Sequence, residues 1–306
     1  MIFPPYLRKG NIVAAISPSG CVEENALLLG VKVLQSWGLK VKLGTYAMQK
    51  SGRFAGNPSQ RLADLQTALD DPKIKAIFCN RGGFGISHLL DRIDWRGFAN
   101  NPKWIIGYSD ITALHFAVQE KGIASIHAMM TSAMGKEEAI TSLPLLRSFL
   151  FGTNSEWSFP ISKYDIPRNA IGTLVGGNLS LITHLIGSKE FLVPAGSLLL
   201  IEEVGEPMYK IDRMLWQLKR AGAFENLSGL LLGYFTNIAE KSDYQESIEE
   251  LTLNLVKEYN IPVFFGVPAG HGFPHFPLIM GAETQIKVIE NIAYLNSKNK
   301  SCDESS

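Results

Sequence analysis

Cysteine is scarce in this chain. Cys21, Cys79 and Cys302 are few and far apart, which excludes a disulfide framework and a cysteine-built zinc site. Cys79 closes the apolar run Ile74-Lys-Ala-Ile-Phe-Cys79 and reads as a buried core thiol. Net charge is missing too. Lys plus Arg and Asp plus Glu stand at 29 each, which argues against a nucleic-acid partner, since phosphate binding needs a basic surface. No block of like charges marks an interaction tail. No apolar stretch is long enough to span a bilayer, so no membrane partner is expected. The opening Met1-Ile-Phe-Pro-Pro-Tyr6 puts prolines where a signal peptide needs an apolar helix. These absences predict a reducing, cytoplasmic location. No internal repeat is found.

What is present fits a soluble enzyme. A chain of 306 residues, 46% hydrophobic and 19% charged, has material for two domains with sizeable cores. The first half alternates strand-like and helix-like patterns. Ile12–Ile16, Val41–Leu43, Ile74–Cys79 and Trp104–Gly107 read as strands. Helical spacing runs from Glu24 to Trp37 and from Asn57, a cap with Pro58 in the first turn, through Leu69. A further helix is expected after Arg81-Gly-Gly-Phe-Gly85. This order predicts a parallel sheet covered by helices, with ligands at the carboxyl ends of its strands. Ser17, Arg81 and Ser109 all follow strand ends and are expected to share one edge.

The composition changes near residue 150. We expect an amino-terminal α/β domain over residues 1–150, a linker over 151–169 and a carboxyl-terminal domain over 170–306. In the last, Gly172–Val175, Ser197–Ile201, Gly229–Tyr234, Pro262–Val267 and Thr284–Ile289 read as strands. Asn178–Gly187 and Tyr209–Ala221 read as helices. Strands outnumber helices, which predicts a strand-rich α/β domain, either a mixed sheet or a barrel-like, partly closed one. The polar residues 297–306 are expected to fray.

The segment Trp104-Ile-Ile-Gly-Tyr-Ser-Asp-Ile-Thr-Ala-Leu-His115 carries the main chemical signal. An apolar run ends in Gly107, Ser109 follows, and a helical pattern starts at once. Such a strand-to-helix turn exposes a serine hydroxyl above helix amides. A serine needs a base to take its proton. Of the six histidines, His88 and His115 sit on expected helices and read as solvent-facing or locally packed. His127 and His184 lie among apolar neighbours and read as core histidines. His271 stands apart inside Val267-Pro-Ala-Gly-His-Gly272, where flanking glycines allow close approach of a backbone or ligand. It reads either as the base or as a turn histidine.

A carboxylate should orient the imidazole. Leu198-Leu-Leu-Ile-Glu-Glu203 ends in two acids that point to opposite faces, so only one of Glu202 and Glu203 can serve; a solvated strand end is the other reading. An oxyanion hole is also required. The Asp110 amide is one donor, though Asp110 also suits a helix cap. The Gly82-Gly83 loop offers another, and reads equally as a phosphate-binding turn without dinucleotide or P-loop spacing. The order Ser, Glu, His resembles that of α/β-hydrolases, yet Gly107-Tyr-Ser-Asp-Ile111 lacks their second glycine. A different serine hydrolase is implied.

Taken together, the motifs resemble the LD-carboxypeptidase family of serine peptidases. They are Ser17-Pro-Ser19, Ala55-Gly56 with Arg61, Arg81–Gly85, Gly107–Asp110, Gly176-Gly-Asn-Leu-Ser180, Glu202-Glu-Val-Gly-Glu206 with Asp212-Arg213, and Gly270-His-Gly272. They occur in the family's order over nearly the whole chain. The resemblance implies a triad of Ser109, Glu202 and His271 and an oxyanion hole from Asp110 and Gly83. It implies a site in the cleft between an α/β domain and a strand-rich one, a homodimer, and no metal or organic cofactor. Arg81 would bind a substrate carboxylate or make a surface ion pair. The family often has Asp at 203 and Tyr at 84, and a smaller polar residue at 275, so His275 is a nearby competitor to His271.

The expected reaction is hydrolysis of an L,D-amide bond in a cytoplasmic muropeptide tetrapeptide, releasing the terminal D-alanine. Two rivals remain. One is a same-fold peptidase acting on a peptidyl-adenylate, its choice set by loops between Glu206 and Tyr244 or in the linker. The other is a non-catalytic two-domain binding protein for a small ligand.

Overall fold

The structure, a computed structural model, describes residues 1–239 and 244–298. Cys302 and most of the expected polar tail lie outside them, as do residues 240–243 of the loop before Tyr244. The chain divides into two compact units. The first is Met1–Asn154 with Pro274–Ile279; the second is Ser155–Phe273 with the residues from Met280 onward.

Along the first unit run β1 (Ile12–Ile16), α1 (Glu24–Ser36), β2 (Lys40–Leu43), α2 (Pro58–Asp70), β3 (Ile74–Cys79), α3 (Arg96–Asn100), β4 (Trp104–Gly107), α4 (Thr112–Glu120), β5 (Ser125–His127) and α5 (Leu143–Phe151). The second unit follows with β6 (Glu156–Pro160), β7 (Ala170–Asn178), α6 (Leu179–Leu185), β8 (Ser197–Val204), α7 (Met208–Arg220), β9 (Gly229–Thr236), α8 (Ile248–Val256) and β10 (Val263–Phe264). The chain then forms β11 (Leu278–Met280), β12 (Glu283–Ile289) and β13 (Ile292–Lys298).

The first sheet has six strands in the order β11-β5-β4-β3-β1-β2, and β2 through β5 are mutually parallel where they pair. Its central strands are almost wholly buried, with β4 presenting no exposed residue. That burial is why they read as continuous apolar runs rather than alternating ones. β1, β3 and β4 are neighbours, so the residues that follow them share one sheet edge. There Asn80 Nδ2 donates to Ser17 Oγ (3.0 Å), and Ser17 Oγ donates to the Ala47 carbonyl (2.7 Å). α2 starts where expected, with Asn57 and Gln60 forming a reciprocal capping box ahead of Pro58. Burial drives the Cys79 thiol pKa up, leaving an unreactive core residue.

The second sheet has seven strands in the order β10-β9-β8-β7-β12-β13-β6. β10 through β7 are parallel, and β12, β13 and β6 add antiparallel strands. Of the two expected forms, the mixed sheet is the one found. Among the described residues no helix is long and apolar enough to cross a membrane.

Several expectations need correction. The stretch 151–169 is more than a linker: Phe151 ends α5, and Glu156–Pro160 form β6, an edge strand buried on alternate residues. After Gly85 the chain makes two short 3₁₀ turns instead of a helix. The glycine at 85, with φ +140°, breaks the helical path. Only Val263 and Phe264 of the run 262–267 are strand. Ser297 and Lys298 close β13 rather than fraying, since they pair opposite Thr284 and Glu283.

Candidate active site

In the first unit, Ser109 stands two residues beyond the end of β4. Tyr108 is extended (φ −152°, ψ −171°), and Ser109 turns at once into the left-handed region at φ +64°. A non-glycine residue there costs about 1–2 kcal/mol and persists only when its surroundings dictate it. The turn closes with the Ile111 amide on the Tyr108 carbonyl (3.3 Å), and α4 follows. This is the strand-to-helix elbow expected from the sequence. Ser109 is 9% exposed, enough to meet a ligand without being solvated on all sides.

Two loops are locked around this elbow. The buried Asp110 carboxylate accepts from the Ser19 hydroxyl (2.5 Å) and the Ile86 amide (3.0 Å). It therefore ties the β1 loop to the Gly loop, a role distinct from the expected helix cap. Arg61, 1% exposed, donates through Nη1 to the Pro18 and Gly85 carbonyls, at 2.8 Å each. Burial pushes its guanidinium pKa down, and the Asp110 charge opposes that shift. Gly20 N donates to the Gly82 carbonyl (2.9 Å), joining the same loops.

Gly82 lies hard against the elbow. A Cβ at 82 would sit 2.8 Å from Ser109 Cβ, 2.9 Å from its Oγ and 3.4 Å from the Asp110 nitrogen. No side chain fits there. Gly83, the expected oxyanion donor, is more open; a Cβ there would meet only Gly20, with Cα at 3.7 Å. Arg81 is exposed and donates to the Cys21 carbonyl (2.7 Å). Arg61 and Ser19, a buried charge and a hydroxyl that must be satisfied, thus brace the loops around the elbow.

In the second unit, Glu202 and His271 meet. Glu202 Oε2 lies 2.7 Å from His271 Nδ1, with the carboxylate fully buried and the imidazole side chain 18% exposed. Burial raises the Glu202 pKa, and the adjacent His271 lowers it. The ring therefore faces the acid through Nδ1.

The loop that carries His271 is laid along the end of β9. Val267 N donates to Leu232 O (3.0 Å), Tyr234 N to Ala269 O (2.9 Å), and Thr236 Oγ1 to His271 O (2.9 Å). Gly270 makes the close approach possible. Its φ is +103°, and a Cβ there would lie 2.6 Å from Glu202 Oε2.

Glu203 turns the other way. Its carboxylate accepts from Asn178 Nδ2 (3.0 Å), the Ser180 amide (2.8 Å), Ser180 Oγ (2.6 Å) and the Val204 amide (2.8 Å). It anchors the start of α6. The strand alternation thus separates one acid for the imidazole from one for the fold.

The other histidines have separate places. His275 packs in the first unit, 3.4 Å from His127 through Nε2 and Nδ1. His127 is buried as expected. His115 is buried on α4, bonded to Ser125 Oγ (2.8 Å) and the Gly107 carbonyl (2.9 Å), and burial lowers its pKa to about 4. His88 packs locally against Phe84, Phe54 and Arg61. His184, expected in the core, is exposed because it lies on the outer face of α6 between buried Thr183 and Leu185. Among the described residues no group of three or more His, Cys, Asp or Glu side chains could hold a metal ion.

Residues 13–128 match the family model of the LD-carboxypeptidase N-terminal domain, and residues 171–286 match that of its C-terminal domain. The chain belongs to the LD-carboxypeptidase family. It is a serine-type carboxypeptidase. Among family members, a Bacillus subtilis protein named "Probable murein peptide carboxypeptidase" is 33% identical over 96% of this chain and 94% of its own. The murein tetrapeptide carboxypeptidase of Pseudomonas aeruginosa is 32% identical over 85% of this chain and 88% of its own. In three dimensions, the muramoyltetrapeptide carboxypeptidase of Oxalobacter formigenes matches with a TM-score of 0.86 at 27% identity, covering 94% of this chain and 99% of that one. The wild-type microcin C7 self immunity protein shares the fold at a TM-score of 0.87 and 21% identity, covering 98% and 99%.

Proposed function

We propose that this carboxypeptidase removes the terminal D-alanine from muropeptide tetrapeptides by cleaving an L,D-amide bond. The observation that carries the reading is the buried acid–imidazole pair of Glu202 and His271 in a chain whose relatives are named for murein peptides.

In this mechanism Ser109 Oγ attacks the amide carbonyl while His271 Nε2 takes its proton. Glu202 holds the imidazole by Nδ1 and stabilises the imidazolium. Amides of Asp110 and Gly83 receive the charge that develops on the carbonyl oxygen. His271 then delivers the proton to the departing amine, D-alanine leaves, and water hydrolyses the acyl-enzyme by the same route. Arg81 is the proposed partner for the substrate's carboxylate. The reaction fits a homodimer working in the cytoplasm on peptidoglycan fragments for recycling.

The test is hydrolysis of a purified tetrapeptide, with released D-alanine read by mass spectrometry. Release by wild type and its loss in Ser109→Ala support the reading; absence of release, or undiminished release by the variant, overturns it. A peptidyl-adenylate run in parallel separates the two substrate classes. Faster turnover of the adenylate would favour the immunity-type reaction.

A further inference from the structure

His275 lies four positions beyond His271, in the short Pro274–Ile279 segment that packs in the first unit. Its ring stands edge-on to that of Tyr108, with centroids 4.7 Å apart and planes at 81°. Tyr108 is the residue before Ser109. The chain that leaves the proposed base therefore touches the chain that enters the proposed nucleophile.

Both partners are held. The His275 amide donates to the buried Ser142 hydroxyl (2.9 Å), and its Nε2 lies 3.4 Å from His127 Nδ1. His127 ends β5, pairs in register with Gly107, and presents its ring edge to Tyr108 at 6.0 Å. His115 backs the cluster, its ring 6.1 Å from His127 and its Nε2 on the Gly107 carbonyl. His275 is 2% exposed and His127 fully buried. Beyond His275 the segment runs into β11, which joins the first sheet beside β5.

The local backbone explains why such a knot matters. Between Tyr108 and Ser109 the chain switches from extended to left-handed, a conformation that needs external support. An edge-on arrangement is a preferred geometry for two packed rings. A fixed Tyr108 ring fixes the peptide that aims Ser109.

Resting on the proposed triad, we infer that Tyr108 and His275 are positioning residues for the reaction. Their ring contact holds the backbone entering Ser109. Neither ring takes or gives a proton in the mechanism. The contact governs how often the nucleophile is correctly aimed, so it acts on kcat more than on KM.

A double-mutant cycle on the full-length enzyme tests this with tetrapeptide as substrate. His275→Leu removes the ring and keeps bulk. His275→Phe keeps a ring edge for Tyr108, and Tyr108→Leu removes the contact from the other side. We expect His275→Leu and Tyr108→Leu each to lower kcat about 10-fold or more with KM within about twofold, and His275→Phe to recover most of the loss. The double variant should be no slower than the slower single. If His275→Leu does not fold by circular dichroism, His275→Gln replaces it, since it retains a polar partner for His127 and still lacks the ring. A folded ring-less variant with kcat within about twofold of wild type, equal rates for the Phe and ring-less variants, or losses that multiply in the double would overturn the inference. Ser109→Ala run alongside separates the layers: full activity there sinks the triad and this inference with it, whereas its inactivity beside normal His275 variants sinks the inference alone.

Discussion

Glu202 holds His271 at 2.7 Å from within the core, while its neighbour Glu203 is spent on the start of α6. Two adjacent acids on one strand thus do different work, and substitution should separate them.

On the proposed mechanism, Glu202→Gln removes the charge that would steady the imidazolium and presents an amide to Nδ1. We expect kcat to fall by about 10³–10⁴-fold, by analogy with other serine triads, with little change in KM. Glu203→Gln leaves that pair intact and disturbs four donors around Asn178, Ser180 and Val204. It should lose about 1–3 kcal/mol of stability and less than tenfold in kcat per folded molecule. Steady-state kinetics beside urea unfolding of both variants checks the contrast. Equal kinetic losses would contradict it.

Two glycines make close approaches that no side chain can share. Gly270→Ala would put Cβ 2.6 Å from Glu202 Oε2 at a φ of +103°. We expect about 1–3 kcal/mol of destabilisation and a kcat loss of about 100-fold or more as the acid is displaced. Gly82→Ala presses on Ser109 Cβ at 2.8 Å and should lower both kcat and stability. Thermal melts and turnover measured on the same preparations decide this. Wild-type turnover in either variant would show that the close approach is not maintained in solution.

Acid should weaken the fold through His115. Burial lowers its pKa from 6.5 to about 4, so between those values the unfolded chain binds a proton that the folded chain refuses. Stability is therefore present above about pH 6.5 and lost as pH falls toward 4. Urea unfolding at several pH values should show this slope. His115→Gln should flatten it by about one proton, roughly 1.4 kcal/mol per pH unit in that window. An unchanged slope would mean that other groups carry the acid sensitivity.

Much of this was legible because local signals were strong. β1, β3 and β4 are buried apolar runs closed by Ser, Asn or Gly, and α2 announces itself through Asn57 and Pro58. β5 and β11 are three residues each, too short to carry a period, and β11 is preceded by Pro277. β6 hides its alternation among turn formers. α5 carries Pro144 in its first turn, and α8 is announced only by the Ser247–Glu250 capping box. At the site, alternation separates Glu202 from Glu203 but does not say which meets the imidazole. That depends on the loop at Gly270 crossing β8, a contact between residues 69 positions apart. The closeness of Gly82 to Ser109 and the place of His275 beside Tyr108 are likewise products of topology.

The most direct test of the triad compares Ser109→Ala, His271→Ala and the two changes combined, by kcat for D-alanine release from the tetrapeptide. Residues that act as one unit are not additive, so the double variant should be no slower than Ser109→Ala alone. A Ser109→Ala enzyme that turns over at the wild-type rate, or losses that multiply in the double variant, would show that the serine and the histidine do not work on the same bond.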